Sequence, residues 1–165
     1  MPRRSSAAVA AVLSIAVAAG AAARGQAGKA GDEARAVADK VTAAGAAMFD
    51  ARDAKGLAAT YAADARLEII SREEGAATLK TETRVGRADI QAYYDELFKG
   101  EGSIHARNTV EHARLIDPEL LTIQGVFEPN AENAQALKLP FLQVRARQGG
   151  AWKIVSLQVF VVTQK

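Results

Sequence analysis

The C-terminal stretch from Arg145 to Val162 limits what this chain can fold into more than any other part of the sequence. It reads RARQGGAWKIVSLQVFVV, two runs of strand-forming residues on either side of Gln148-Gly149-Gly150. Glycines at this position supply the positive φ angles of a tight turn, so the stretch predicts a β-hairpin. Two alternating sets of apolar residues occupy the second run: Trp152, Ile154 and Phe160 on one face, and Val155, Leu157, Val159 and Val161 on the other. A strand that is apolar on both faces is buried on both, which requires helices on one side and another subunit, or more of the same domain, on the other.

The N-terminal segment has the composition of a secretory signal peptide. Two adjacent arginines precede an apolar run of 17 residues, Ala7 to Ala23, and small residues up to Ala27 then offer cleavage sites. The run is shorter than the ~20 residues of a typical membrane span, so we expect cleavage and not retention as an anchor. The 165-residue chain then divides into a signal peptide at 1–27, a linker at 28–31 and one domain at 32–165. This division predicts a secreted or periplasmic protein with no stable membrane span after cleavage.

The charge balance argues against nucleic acid as a partner. The chain has 21 basic and 19 acidic residues, and four of the basic ones but none of the acidic ones lie in residues 1–31. The predicted domain is therefore close to neutral, and no basic patch interleaved with aromatic residues occurs in it. The chain has no Cys, which excludes a disulfide or a lipoprotein anchor.

The hydrophobic pattern predicts a single α+β domain. Apolar residues recur at helical spacing from Val37 to Phe49, and Asp32 is expected to cap that helix. A short helix follows Asp53, and Gly86 separates a strand from a third helix over Arg87 to Phe98. The predicted strands are Ala65–Ile70, Thr78–Val85, Ile104–Ile116, Leu120–Phe127, Leu137–Arg147 and Ala151–Val162. Helices segregated against one curved antiparallel sheet are typical of this class.

Three segments give the chain a family likeness. They are DAKGLAATYAADARLEI (Asp53 to Ile69), VGRADIQAYYDELF (Val85 to Phe98) and GGAWKIVSLQVF (Gly149 to Phe160). Together with the order of elements, they resemble the nuclear transport factor 2-like superfamily, which includes ketosteroid isomerase, scytalone dehydratase and SnoaL-like polyketide cyclases. The resemblance implies a cone-shaped barrel, a strongly curved, mostly antiparallel sheet of about six strands lidded by three N-terminal helices. It also implies dimerisation through the outer sheet face, but it does not fix a function.

The ketosteroid isomerase machinery has no counterpart at the corresponding positions. By the resemblance, the general-base Asp of those enzymes falls on Ile69, and the tyrosine of the oxyanion site falls near Gly45. The second oxyanion acid falls near Leu142 or Gln143. Because Ile69 and Leu67 share one face of their strand, burying them turns Glu68 to the opposite face. Proton abstraction next to a carbonyl needs a base within hydrogen-bond reach, and an isoleucine cannot supply it.

The two histidines of the chain lie seven residues apart on one predicted strand. An odd separation turns His105 and His112 to opposite faces, about 23 Å apart along the strand, so they are not expected to share a metal ion. His112 has the same parity as Val110 and is expected to point inward, whereas His105 is expected at the surface. By the resemblance to scytalone dehydratase-like proteins, His112 is the candidate acid–base residue. A hydrogen-bonded core or rim histidine is the alternative.

The remaining candidate residues would bind a ligand. Tyr61 and Tyr94 lie on predicted helices that should pack on the sheet, and Tyr94 belongs to the apolar stripe of the third helix, so its hydroxyl can reach a cavity. Core packing with one hydrogen-bonded hydroxyl is the alternative for these tyrosines. Asn108 has the same parity as His112 and could orient a polar group. Gln158 belongs either to a polar pocket floor or to a dimer interface. Ile69 completes the predicted ligand-binding set.

The sequence favours one function over two alternatives. We expect an exported SnoaL-like domain that forms a homodimer and binds a small hydrophobic molecule, without a cofactor or a metal ion. A lyase, isomerase or cyclase with His112 as acid–base is the first alternative. A dimeric interaction module whose pocket is filled by its own side chains is the second.

Overall fold

The computed structural model describes residues 10–73, 76–100, 104–131 and 137–162. These residues form three helices and six strands. The elements in chain order are α1 (Ala10–Asp50), α2 (Ala54–Ala59), β1 (Tyr61–Arg72), β2 (Lys80–Val85), α3 (Arg87–Leu97), β3 (Ile104–Asp117), β4 (Leu120–Ala131), β5 (Leu139–Gln148) and β6 (Ala151–Val162). This order confirms the predicted α+β class.

The six strands form one curved, open sheet in the order β2-β1-β6-β5-β4-β3. Neighbouring strands are antiparallel except for β1 and β6, which are parallel. The parallel pair joins an early hairpin to the four-stranded meander that follows α3. The edge strands β2 and β3 do not pair with each other, so the curved sheet forms an unclosed cone around the core, in agreement with the predicted fold class.

Helix α1 lies against β3 through a stripe of small buried residues. Ala34, Ala38, Thr42 and Ala46 recur every four residues and are almost inaccessible, so the helix can approach the strand closely. Next to its end, the Asp50 carboxylate accepts a hydrogen bond of 2.5 Å from the backbone N–H of Ala106 in β3. The larger side chains of α1, among them Phe49, pack against the core beside this stripe.

The N-terminal part of α1 differs from the sequence-based prediction. The helix is continuous from Ala10, so it runs through residues 28–31, where a linker is predicted, and past Asp32, the predicted cap. Residues 1–9 of the predicted signal peptide lie outside the described residues, and its cleavage stays a prediction. None of the helices in the described part of the chain combines the length and apolar character that a membrane crossing requires.

Four register shifts interrupt the pairing of the strands, and two of them change which side chains face the core at the cavity. In β3, Val110 pairs with Gly125 and His112 with Gln124, which leaves Glu111 as the extra residue. In β6, Ile154 pairs with Arg145 and Ser156 with Val144, which leaves Val155 as the extra residue. Each extra residue shifts the alternation of its strand by one position, so residues on either side of a bulge exchange faces. The predicted placement of Ile154 opposite Leu157 is wrong for this reason, since both face inward.

Candidate functional site

A cavity of about 420 Å³ lies between the concave face of the sheet and the helices. Its walls are mainly hydrocarbon, supplied by inward residues of four strands. Representative wall residues are Leu67 and Ile69 of β1, Phe127 of β4, Phe141 of β5, and Leu157 and Val159 of β6. The inward set of each strand follows the two-residue alternation, corrected at the bulges.

The cavity has an exposed mouth and a buried floor. Leu97 and Leu137 line its outer end, and each is 45% exposed. Tyr61, Arg145 and Ile154 line the opposite end and are 1%, 3% and 4% exposed. They are adjacent in the sheet, since Ile154 pairs with Tyr61 on one side and Arg145 on the other. A molecule that enters at the mouth therefore reaches these side chains last.

Polar groups gather at this floor. The hydroxyls of Tyr61 and Tyr94 are buried and lie 2.8 Å apart in a hydrogen bond in which either can donate. Arg145 donates from Nε to Oε1 of Gln143 at 2.6 Å, and from Nη1 to the carbonyl oxygen of Trp152 at 3.2 Å. The floor therefore combines two hydroxyls, one amide and one guanidinium beneath apolar walls.

Burial governs the protonation of the floor. It raises the pKa of Tyr61 well above its usual value and raises the pKa of Tyr94 to about 12, because the phenolate form would lose its hydration. Burial also lowers the pKa of Arg145 to about 10. At neutral pH both tyrosines are therefore neutral and Arg145 carries a positive charge inside the protein.

The side wall of the cavity is fixed by one amide. Asn108 of β3 donates from Nδ2 to the carbonyl oxygen of Thr42 in α1 at 2.9 Å. Both residues line the cavity. The Asn108 side chain therefore links β3 to α1 at the wall of the cavity.

Four of the predicted ligand-binding residues lie together around the cavity. Tyr61, Tyr94, Asn108 and Ile69 all line it. Tyr61 does so from the first position of β1, which begins four residues before the predicted strand, and not from a helix. Whether any of the four binds a ligand stays a prediction.

Gln158 lies elsewhere, on the convex face of the sheet. Its Nε2 donates to Glu68 at 2.8 Å from the neighbouring strand. The convex position follows from the alternation, because Leu157 and Val159 on either side point into the cavity. The structure therefore excludes Gln158 from the pocket floor and places it on the outer face of the sheet. Its role in a dimer interface stays a prediction.

The prediction that His112 points inward is wrong. Val110 is buried, but the extra residue Glu111 shifts the alternation, and His112 is exposed and does not line the cavity. Ala113 and Leu115 take the inward positions after the bulge. The sequence carries no clear signal for this bulge, so parity alone misplaces the histidine.

The positions that correspond to ketosteroid isomerase catalytic residues do lie around the cavity. Ile69, Gly45 and Gln143 line it, while Leu142 is 37% exposed. Glu68 faces the convex side, as the parity argument predicts. Among the described residues that line the cavity there is no Asp, Glu or His.

Sequence reasoning missed the most distinctive residue of the floor. Arg145 belongs to the alternating set Leu139, Phe141, Gln143 and Arg145, which is the buried face of β5. The signal was weak because Leu142 and Val144 make the other face of the strand equally apolar. No group of three or more potential metal-ligating side chains occurs among the described residues.

No protein-family model matches the chain, and no curated protein matches it in sequence. Solved structures do match it in fold. An NTF-2-like protein of unknown function from Shewanella oneidensis aligns with a TM-score of 0.63 and 12% identity, over 76% of this chain and 98% of that one. A ketosteroid isomerase-like protein from Erwinia carotovora aligns with a TM-score of 0.60 and 13% identity, over 78% of this chain and 96% of that one.

A third structure extends the likeness to a protein whose function is also unknown. A domain with a cystatin-like fold from Nostoc punctiforme aligns with a TM-score of 0.62 and 16% identity, over 80% of this chain and 79% of that one. Identities this low carry the arrangement of the backbone and not the chemistry of a site. The open cone of six strands under three helices and these three alignments together show that the chain has the nuclear transport factor 2-like fold.

Proposed function

We propose that this protein binds a small, mostly apolar molecule in the cavity between its sheet and helices. The observation that carries the proposal is the cavity itself, about 420 Å³, with hydrocarbon walls, one exposed end and a few polar groups at the other. Ligand sites in proteins have volumes of roughly 300–1,000 Å³ and this combination of apolar walls with a few convergent polar groups.

The chemistry of the lining favours binding over acid–base catalysis. A general acid or base is most effective when its pKa is near the working pH. The titratable side chains of the described lining are three tyrosines and Arg145. Burial moves the pKa of Tyr61 and Tyr94 upward, and the pKa of Arg145, at about 10, is still well above neutrality. These groups are suited to hydrogen bonding with a ligand and not to proton transfer at pH 7.

The alternative of a lyase, isomerase or cyclase that uses His112 receives no support from the position of that residue. The imidazole is exposed on the side of β3 away from the cavity. A His112→Ala variant is therefore expected to bind cavity ligands as the wild type does. Loss of a measurable turnover in this variant would favour the enzyme instead.

A cavity-filling variant tests the proposed function. Gly45 lines the cavity, and a Cβ atom added there meets nothing within 4 Å, so Gly45→Leu should fold and place a side chain in the ligand space. Gly31→Leu is the matched control, because Gly31 lies on the same helix, is exposed and also has no neighbour within 4 Å of an added Cβ.

The probe is the neutral apolar dye N-phenyl-1-naphthylamine, whose fluorescence rises on transfer from water to an apolar site. We expect saturable binding by the wild type and the Gly31 variant, and at least roughly tenfold weaker binding by the Gly45 variant, a change of about 1.4 kcal/mol. Equal binding by all three proteins would place the dye outside the cavity. No binding to any of them would remove the support for a ligand site.

We also propose that the convex face of the sheet forms a homodimer. Ile70 pairs with Phe160, Val126 pairs with Pro140, and all four are half-buried apolar residues on that face. Light scattering at micromolar concentration should give the mass of a dimer, and Phe160→Glu should give that of a monomer. Ile116→Glu, at a residue that is 51% exposed beside the β3–β4 turn, is the control. A monomeric wild type would refute the proposal.

Export is the remaining part of the proposed function. It rests on the composition of residues 1–27. Expression of the full chain in a bacterial host, followed by fractionation and mass measurement, should give a periplasmic or secreted product that begins between residues 24 and 28. A full-length product retained in the cytoplasm would contradict it.

A further inference from the structure

We propose that Arg145 is the recognition site for a carboxylate group, so that the ligand of the cavity is an amphiphile with its anionic head at the floor and its apolar body toward the mouth. This inference rests on the proposed function and specifies the ligand class. It begins from the charge that the fold places at the buried end of an apolar cavity.

Arg145 is buried without an opposite charge. It is 3% exposed, and no salt bridge to it occurs among the described residues. Its contacts are the neutral oxygens of Gln143 and of the Trp152 backbone. A buried ion that has no counterion carries a desolvation penalty of several kcal/mol, and this penalty is offset only when an opposite charge approaches.

The guanidinium retains donors for such a partner. Nε and one N–H of Nη1 are engaged, whereas Nη2 donates to none of the described residues. Among the described residues, every fully inaccessible side-chain nitrogen makes a hydrogen bond, so Nη2, which makes none, keeps some accessible surface. Arg145 lines the cavity, and this surface is available to a ligand there. The Nη1–Nη2 edge of a guanidinium matches the two oxygens of a carboxylate in a bidentate pair.

The surroundings of Arg145 define the rest of the ligand. The paired hydroxyls of Tyr61 and Tyr94 lie at the same end of the cavity and can supply a further hydrogen bond. Toward the mouth the walls are Leu67, Phe141 and Val159. A single buried positive charge is balanced by a monoanion, so a carboxylic acid with a hydrocarbon body fits better than a dianionic phosphate.

The test compares two probes that differ only in the head group. Octanoate and 1-octanol have the same hydrocarbon length, and at pH 7 only octanoate is charged. We expect octanoate to bind the wild type about 10- to 100-fold more tightly than octanol in calorimetric titration, since hydrogen bonds to charged groups contribute that ratio. Inorganic phosphate is the third probe and should bind far more weakly than octanoate, because it lacks the apolar body.

Two variants locate the effect. Arg145→Met should lower octanoate affinity by a similar factor and leave octanol affinity unchanged, and retained octanol binding shows that the variant is folded. Arg145→Lys keeps the positive charge but lacks the two-pronged guanidinium, so its octanoate affinity should lie between those of the wild type and the Met variant. It provides the test if the Met variant fails to fold. Arg147→Met is the matched control, because Arg147 is exposed two residues along β5, against the Trp152 ring, and does not line the cavity.

The outcomes separate this inference from the proposed function. Equal affinity of octanol and octanoate for the wild type would overturn the role of Arg145 while leaving a ligand cavity. Octanoate binding that persists unchanged in the Met variant would also overturn it. Binding of phosphate as tightly as octanoate would replace the amphiphile with a simple anion. Failure of all three probes, together with failure of the neutral dye, would count against the cavity as a ligand site.

Discussion

The same substitution, glycine to alanine, is expected to have opposite effects at two positions of this fold. Gly125 lies in β4 opposite Val110, beside the β3 bulge. A Cβ atom at this position would lie 2.3 Å from the carbonyl oxygen of Thr109 and 3.0 Å from the Phe141 ring. Gly45 lies within α1, where an added Cβ meets nothing within 4 Å.

The geometry sets the size of each effect. At Gly125 the strands would have to separate by about 0.7 Å to relieve the contact with the Thr109 oxygen, a backbone atom that cannot rotate away, and overpacking of this kind costs about 1–3 kcal/mol or more. At Gly45 the alanine lowers the conformational entropy of the unfolded chain and improves helix propensity, which contributes about 0.8–1 kcal/mol of stability.

The assay is urea unfolding followed by circular dichroism, with the free energy of unfolding extrapolated to water. We expect the free energy of unfolding to be lower than in the wild type for Gly125→Ala and higher for Gly45→Ala, so that the two variants differ by about 2–4 kcal/mol. Gly31→Ala, in an exposed part of the same helix, is the control for helix propensity alone. If Gly125→Ala has the same free energy of unfolding as the wild type, β3 and β4 are not held this close together at Gly125. The proposed packing beside the bulge would then be wrong.

Three further predictions concern the floor and a helix cap. Tyr61→Phe and Tyr94→Phe should each lower the free energy of unfolding by about 1–3 kcal/mol, because each leaves the other hydroxyl without its partner. The double variant removes both hydroxyls and should lower it by less than the sum of the two. A coupling energy near zero in this double-mutant cycle would contradict the hydrogen bond. The stability that comes from keeping Tyr94 neutral is fully present below pH 10 and is lost as the pH rises toward its folded-state pKa of about 12, so the alkaline decline in melting temperature should be smaller in Tyr94→Phe. Asp53→Ala removes the acceptor of a 2.8 Å hydrogen bond from the Gly56 N–H at the start of α2, which should cost about 1 kcal/mol in the same unfolding assay; no change would show that the cap is dispensable.

The fold was largely predictable because its signals are local. Periodic apolar residues identified the helices, and Gly149 and Gly150 have the positive φ angles that the hairpin turn requires. The boundaries were less accurate where tertiary pairing extends an element. Tyr61 has a helical spacing from Leu57, yet it begins β1 because it pairs with Ile154 of β6, a contact that no local pattern encodes.

The site was predictable only as far as strict alternation holds. Ile69 was placed correctly at the cavity because no irregularity separates it from Leu67, which sets its parity, and Tyr94 because it lies on the regular apolar stripe of α3. His112 was misplaced by the single extra residue Glu111. Arg145 was overlooked because a charged residue near a turn is usually solvated, and only the pairing of β5 with β6 reveals that it is buried.

The parallel contact between β1 and β6 also has a consequence for the order of assembly. The β1–β2 hairpin and the β3–β5 meander have no shared strand, and β6 follows both of them in the chain. Until β6 has been synthesised, each half presents an unpaired edge and the floor of the cavity has no Ile154. Completion of the domain therefore depends on a contact between distant parts of the sequence, a topology associated with slow folding.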